Sequence, residues 1–309
     1  MRNLLITGAN GFVGSNALSY FHGKYNIIAV SRVSPKIPCK WIKFDITNFE
    51  FLKQEILLSK PDFILHCASI AHKKIDKKFY LKKECHLVNI EFTKLLIDCC
   101  IKNKTERFIY LSSIGVMALS NRHMINESTK VSKDNLYSFY KFESEALIKN
   151  KLQKNNVFWT ILRPPIIYGP NPPGNLRLLK FAIDFNLPLI VEKNGLRRSF
   201  LGIENLLSSI EKIININNGN KTYVISDDQT INFKELIQII SSARKKDALI
   251  INFPKIIYRF FTYLPILGKK FKILSNEKCY VIDNTFIKKD LDWKPEFNLK
   301  RKMFEYFRK

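Results

Sequence analysis

A chain of 309 residues with 46% hydrophobic content is too long for one small core and too apolar for a disordered polypeptide; it fits one large α/β domain with a smaller appended lobe, or two domains sharing an interface. The net charge of +24 raises nucleic-acid binding, a funnel for a polyanionic substrate and an anionic membrane surface as readings, but lysine, asparagine and isoleucine abound throughout, as under AT-rich coding, and no nucleic-acid motif accompanies them. No apolar run approaches the roughly 20 residues of a membrane span, the first residues carry no signal-peptide pattern, and six cysteines without a CxxC argue for reduced thiols, no metal and a cytoplasmic protein.

The chain opens with a buried strand, "NLLITGAN", that runs into a turn, and "GFVGSNALSYFHGKY" follows as a helix with apolar residues at helical spacing. "NIIAVSR" and "WIKFDITN" read as the second and third strands, "FEFLKQEILLSK" as a helix and "DFILHCAS" as the fourth strand. "HLVNIEFTKLLIDCCIKN" is a helix, "RFIYLSSIGV" the fifth strand, "LYSFYKFESEALIKNKLQ" a helix and "VFWTILRPP" the sixth strand. Such alternation predicts a doubly wound, Rossmann-type parallel sheet covered on both faces. After Pro164 the texture changes: "PPIIYGPNPPGN" is a Pro/Gly-rich loop, and the short strands "KTYVISD" and "CYVID" suit a smaller lobe closing over the carboxyl ends of the sheet. The expected division is 1–167 for the dinucleotide-binding domain, with a segment near 200–228 returning to it, and 168–309 mostly for a substrate lobe.

Between the first strand and first helix, "TGANGFVG" places Gly8, Asn10, Gly11, Phe12, Val13 and Gly14. Glycine is required where backbone turns tightly and approaches a pyrophosphate, and the helix N-terminus supplies free N–H groups. The second strand ends in Ser31 and Arg32, where NAD-binding chains often carry an acid for the ribose hydroxyls; a guanidinium suits the extra phosphate of NADP. NADP(H) is therefore favoured over NAD(H), against the reading of Arg32 as one more surface cation. Asp45, in "FDIT", either accepts from the adenine amino group or caps the next helix.

Carbonyl chemistry needs an acid/base group beyond the strand ends. Tyr137 and Lys141 lie one turn apart on one helical face, and Ser113 ends the fifth strand. A nearby ammonium and a nicotinamide cation both lower the pKa of a phenol, and a serine hydroxyl can hold the oxygen whose charge changes during hydride transfer. Tyr140, beside the lysine, shares no face with it. His66 reads as structural, and Arg197 and Arg198 as forked donors for a diphosphate or as surface arginines. "FPKIIYRFFTYLPILGKKFKIL" reads as a core helix of the lobe, with membrane-surface contact the less favoured alternative.

These motifs, together with "VNIEFT", "LRPPIIYGP", "GNLRLLKFAIDFNLPL", "RRSFLGIENL" and "DLDWKPEF", resemble the extended short-chain dehydrogenase/reductases, the nucleotide-sugar epimerase/dehydratase group. The similarity is to the branch of UDP-sugar 4-epimerases and UDP-N-acetylquinovosamine-forming 4-ketoreductases. It implies Ser113, Tyr137 and Lys141 as the catalytic triad, with Tyr137 and Lys141 also touching the cofactor, and Ile46, Cys67, Ala68 and Pro164 lining the cofactor. It implies Asn89 as support for the active-site helix, and His72, Asn175 and Arg198, with Ser113, on the substrate side. Departures are Tyr140 and Ser138, where relatives keep small residues, and Met117 and Ala118 after the serine, which suggest a reshaped sugar pocket. A 4,6-dehydratase usually carries Asp-Glu directly after the serine or threonine; Ile114 and Gly115 stand here, which argues against dehydration. A 4-epimerase returns the hydride and retains NAD, whereas a reductase consumes NADPH. Arg32 favours reduction of the C4 ketone of a UDP-4-keto-6-deoxy-N-acetylhexosamine, an O-antigen or capsule precursor; the alternative is a UDP-glucose or UDP-N-acetylglucosamine 4-epimerase, and the remote one a non-catalytic dinucleotide sensor. The expected partners are a UDP-sugar and a second copy of the chain, not nucleic acid.

Overall fold

A computed structural model describes residues 1–70, 79–117, 124–133, 135–192, 196–217, 219–253 and 280–308. The first half alternates strand and helix: β1 (Asn3–Thr7), α1 (Phe12–Phe21), β2 (Asn26–Ser31), β3 (Lys40–Lys43), α2 (Phe49–Ser59), β4 (Phe63–His66), α3 (Phe79–His86), a π-helical turn (Leu87–Glu91), α4 (Phe92–Asn103), β5 (Arg107–Leu111), β6 (Met124–Ile125), α5 (Leu136–Gln153) and β7 (Phe158–Arg163). The second half holds β8 (Ile166–Tyr168), α6 (Asn175–Asp184), β9 (Leu189–Glu192), β10 (Arg198–Gly202), α7 (Ile203–Asn215), β11 (Lys221–Val224), β12 (Thr230–Ile231), α8 (Phe233–Arg244), β13 (Ile250–Phe253), β14 (Val281–Ile282), α9 (Thr285–Asp290) and α10 (Leu299–Arg308).

Seven strands form one sheet in the order β11-β7-β5-β4-β1-β2-β3, every pair parallel. Near-continuous apolar runs, such as Phe108 to Leu111, suit strands buried on both faces. α1, α7 and α9 cover one face, where Phe21, Leu206, Ile210 and Trp293 pack. α2, α4 and α5 cover the other, with Ile56, Leu96, Ile148 and Leu152. The strand order reverses at β1, between β2 and β4, which opens a crevice beyond the carboxyl ends there. A separate apolar core joins α6, α8 and α10 to the smaller β-structures, in which β10 pairs with β8 and β12, and β9 with β13.

Three local expectations change. "KTYVISD" supplies β11, the outermost strand of the large sheet beside β7, which suits the expected return of a segment near 200–228 and not the strand's assignment to the lobe. The third strand stops at Lys43, because the Asp45 carboxylate accepts from the Thr47 amide at 2.8 Å and the Thr47 hydroxyl at 2.6 Å, a turn that ends the ladder. The helix expected over 86–103 is interrupted by the π turn, which holds Asn89. The 253–274 segment lies almost wholly outside the described residues, and among those described no helix is long and apolar enough to cross a membrane.

Candidate active site

Gly8 leaves β1 with φ +67°, and a Cβ there would lie 2.9 Å from the backbone of Ala68, just past β4. At Gly14 a Cβ would lie 2.2 Å from the Gly8 carbonyl oxygen. Both glycines thus let the loop pack backbone to backbone, against the segment after β4 and against the first turn of α1. That geometry fits a dinucleotide pyrophosphate. Phe12 and Val13 are partly buried against the core behind the loop, so they brace it. The Phe12 ring also approaches Gly169, where a Cβ would come within 3.0 Å of Cζ; the sequence reading did not single out this glycine after β8.

Asn10 donates its side-chain amide to the carbonyl of Val33, and Ser31 Oγ donates to the same oxygen at 2.7 Å. These two bonds shape the turn after β2 and leave Arg32 exposed at the crevice edge, with no acidic residue from 32 to 39. Asp45 is not the cap of α2, since Asn48 accepts from the Phe51 amide in that role. The Thr47 hydrogen bonds hold the Asp45 carboxyl below its ordinary pKa. Ile46 follows it, partly exposed beyond β3.

His66 is fully buried, and burial pushes its pKa down to about 3. Thr93 Oγ1 donates to the Asn89 carbonyl at 2.7 Å and lies 3.0 Å from His66 Nε2. Thr7 Oγ1 accepts from the Ala68 amide at 3.1 Å and lies 2.7 Å from Nδ1. Every group is satisfied by a neutral imidazole protonated on Nε2. His66 thus pins β1, β4 and α4 together, the structural role expected of it. Asn89 accepts from Ser69 Oγ at 2.8 Å through its side chain and from Ser144 Oγ of α5 at 2.8 Å through its carbonyl. It ties the loop after β4 to the helix that carries Tyr137.

Ser113, Tyr137 and Lys141 come together beyond β5. Ser113 Oγ accepts from the Gly115 amide at 3.1 Å and is hydrogen-bonded to the Tyr137 phenol. A Cβ on Gly115 would touch both, at 3.3 and 3.9 Å, so the small residue keeps the pair accessible to each other. Lys141 is buried and donates to the Leu111 carbonyl at 2.6 Å, with its ammonium 4.6 Å from the centre of the Tyr110 ring. Burial lowers its pKa to about 8. The ammonium does not depress the Tyr137 pKa as expected of it: burial pushes the phenol up, the Ser113 hydrogen bond offsets only part of this, and the ammonium is directed at Leu111. Cys67 and Ala68 follow β4 beside this group, and burial raises the Cys67 thiol to about 12 against the opposing charge of Lys141. Pro164, buried after β7, accepts from the Ile114 amide at 2.9 Å and so fixes the turn after Ser113.

Below the triad lies a buried ion pair that the sequence reading passed over. Arg163 Nε and Nη2 donate to the two Glu145 oxygens at 3.0 and 2.5 Å, and Ser112 Oγ donates to Oε1 at 2.5 Å. Glu145 stands one turn beyond Lys141, and a carboxylate on that buried face was the available signal.

Of the residues expected on the substrate side, Asn175 is exposed at the first position of α6. Arg198 lies on β10, donating to Tyr280 Oη at 3.0 Å with its guanidinium 4.8 Å from that ring's centre. Arg197 turns the other way, its Nε donating to Thr230 Oγ1 at 2.9 Å and its Nη1 3.4 Å from Glu235, so the two arginines do not form one clamp. His72 and Ala118 lie outside the described residues. Met117 is buried among Ile125, Tyr280 and Ile282, so its side chain fills core rather than pocket. Tyr140 packs away from the site, with Cys85 and Ile90, and its ring centre lies 6.1 Å from that of His86.

Similarity to known proteins agrees with this geometry. UDP-glucose 4-epimerase of Vibrio cholerae is 26% identical over 303 residues, 95% of this chain and 91% of the relative. The Thermotoga maritima UDP-glucose 4-epimerase with UDP-glucose superposes with a TM-score of 0.80 at 18% identity, covering 99% of this chain and 98% of that one. The Bacillus cereus UDP-glucuronic acid 4-epimerase in complex with NAD superposes at 0.78 with 19% identity and the same coverage. The family model for NAD-dependent epimerases and dehydratases matches residues 4–200, and the chain belongs to that family, in its extended short-chain dehydrogenase/reductase branch.

Proposed function

We propose that this enzyme reduces the C4 ketone of a UDP-4-keto-6-deoxy-N-acetylhexosamine with NADP(H), in the synthesis of bacterial surface polysaccharide precursors. The observation that carries the reading is the Ser113–Tyr137 pair, whose phenol, protonated at neutral pH even when free, is pushed further up by burial. A ketone reductase needs its acid in that state at the start of turnover. When bound, the nicotinamide cofactor supplies the hydride. Tyr137 donates its proton to the C4 oxygen as that oxygen gains negative charge, and Ser113 hydrogen-bonds the same oxygen. Lys141, one turn along α5 and held by the Leu111 carbonyl against the Tyr110 ring, is assigned to orient the nicotinamide ribose. Arg32 and the acid-free turn after β2 support NADP(H), with Asn10 and Ser31 setting the turn. Asn175 and Arg198 are assigned to the nucleotide diphosphate.

A 4-epimerase that retains NAD is the second reading, favoured by the near full-length match to the Vibrio cholerae enzyme. One experiment separates them. Purified protein is mixed with the 4-keto sugar and either NADPH or NADH, and reduced-nicotinamide absorbance is followed. Rapid loss with NADPH supports the reductase. Interconversion of UDP-N-acetylglucosamine and its C4 epimer with no added cofactor would overturn it.

A further inference from the structure

Four exposed apolar side chains lie on α6 and on the segments that lead out of it and into the β9–β13 ladder. Phe181 is 52% exposed in the last turn of α6 and Phe185 64% just after it, with ring centres 4.4 Å apart. Leu187, 45% exposed, follows in the turn into β9, and Leu249, 54% exposed, directly precedes β13. The Leu189 amide donates to the Leu249 carbonyl at 2.8 Å, so both leucines flank one ladder. The opposite side of α6 is already committed to the core through Leu176, Leu179 and Ile183. A tilted aromatic pair on the outer side, with two exposed leucines at the nearby strand starts, is therefore surplus to folding, and exposed apolar groups of this kind mark contact surfaces.

The rim is basic. Arg177 and Lys180 lie on α6, and Arg244, Lys245 and Lys246 end α8. The facing carboxylates are Asp184 and Asp247. Asp184 accepts from Arg244 Nε at 2.7 Å and Lys180 Nζ at 2.9 Å, while Arg177, Lys245 and Lys246 are exposed. From β13 the chain runs into residues 254–279, whose sequence sets six Lys and Arg against one Glu among mostly apolar residues. Apolar anchors ringed by cations complement a bilayer whose headgroups are anionic. A second copy fits less well, because a two-fold contact would set the same cations against each other.

We propose that this face docks the enzyme onto an anionic membrane surface, with Phe181, Phe185, Leu187 and Leu249 at the headgroup–acyl boundary and Arg177, Lys245 and Lys246 against lipid phosphates. The full-length protein is sedimented with phosphatidylcholine vesicles containing about one third phosphatidylglycerol, and with phosphatidylcholine alone, at ~0.05 and ~0.5 M salt. Binding is expected to the anionic vesicles at low salt and to fall at high salt. F181S/F185S and K245E/K246E should each weaken it at least about tenfold, given roughly fivefold per cation at the surface. All four side chains are exposed, so both variants should keep the parent's thermal transition. Failure of the parent to bind anionic vesicles, or binding that both variants leave unchanged, overturns the proposal. So does a dimer, seen by light scattering, that F181S/F185S dissociates, because the patch would then be an interface between copies.

Discussion

At the residue scale, the pairing of Tyr137 with Lys141 was legible from spacing, because one helical turn places both on one face whatever they touch. The direction of their pKa shifts was not, because it depends on where the ammonium points and how deeply each group is buried. Lys141 lies under the Tyr110 ring against the Leu111 carbonyl, so burial governs both groups. Tyr137→Phe keeps the ring and loses the acid; kcat should fall about a hundredfold to ten-thousandfold with KM little changed, in steady-state reduction assays. Lys141 also has a linkage signature. Between pH of about 8 and the ordinary lysine value the unfolded chain holds a proton that the folded chain has released, so stability contributed at this site rises with pH across that window. Below about 8 both states are protonated and the full burial cost is present. Lys141→Met removes that cost: in urea titrations the variant's stability relative to the parent should be highest near pH 7 and decline as pH climbs above about 8, while turnover is lost. A constant difference across pH would show that Lys141 is not desolvated as described.

At the element scale, α5 was legible to both ends, and its cap explains one departure from the family pattern. Asn135 accepts from the Ser138 amide at 2.9 Å while the Asn135 amide donates to Ser138 Oγ at 3.3 Å. Asn135, two residues before Tyr137, and Ser138, one after it, therefore cap the helix reciprocally, so the serine that stands where relatives keep a glycine or alanine is committed to the cap. Tyr140 was read as a pocket residue because sequence shows bulk but not direction; its ring instead fills the space between α5 and the π turn. That π turn was also invisible, since one inserted residue per turn leaves the apolar pattern nearly intact. The Glu145–Arg163 pair joins α5 to β7 and, through Ser112, to the end of β5. Glu145→Gln leaves a buried guanidinium without its countercharge, so unfolding by urea should show a loss of about 3 kcal/mol. Replacing both partners, as E145M/R163M, should restore most of the stability. Activity should remain depressed in the double variant, because Ser112 no longer anchors the turn that presents Ser113 to Tyr137.

At the scale of the whole molecule, the strand–helix alternation made the parallel sheet and its switch point legible, because each βαβ unit announces itself locally. A return of the segment near 200–228 was expected, but the partner of β11 was not: its neighbour in the sheet is some sixty residues earlier, with Lys221 aligned to Thr160, and no local pattern encodes that pairing. Its consequence is that the sheet of the dinucleotide site is completed by chain from beyond the lobe's first elements, so unfolding either half should disturb the other. Cofactor bound at the β1–β4 crevice should then stabilise the entire chain rather than its first half. At a hundredfold excess over Kd a ligand adds about 2.7 kcal/mol to the folded state. In differential scanning calorimetry NADPH should raise one cooperative transition by several degrees and, if Arg32 takes the extra phosphate as proposed, equal NADH should raise it less. Arg32→Glu should reverse that order without changing the transition of the ligand-free protein, since the side chain is exposed. Two resolved transitions, only the first responding to cofactor, would mean that β11 does not couple the halves. A protein that already carries tightly held NAD would show neither shift, and heat would release the nucleotide into the supernatant, which is the behaviour of the epimerase.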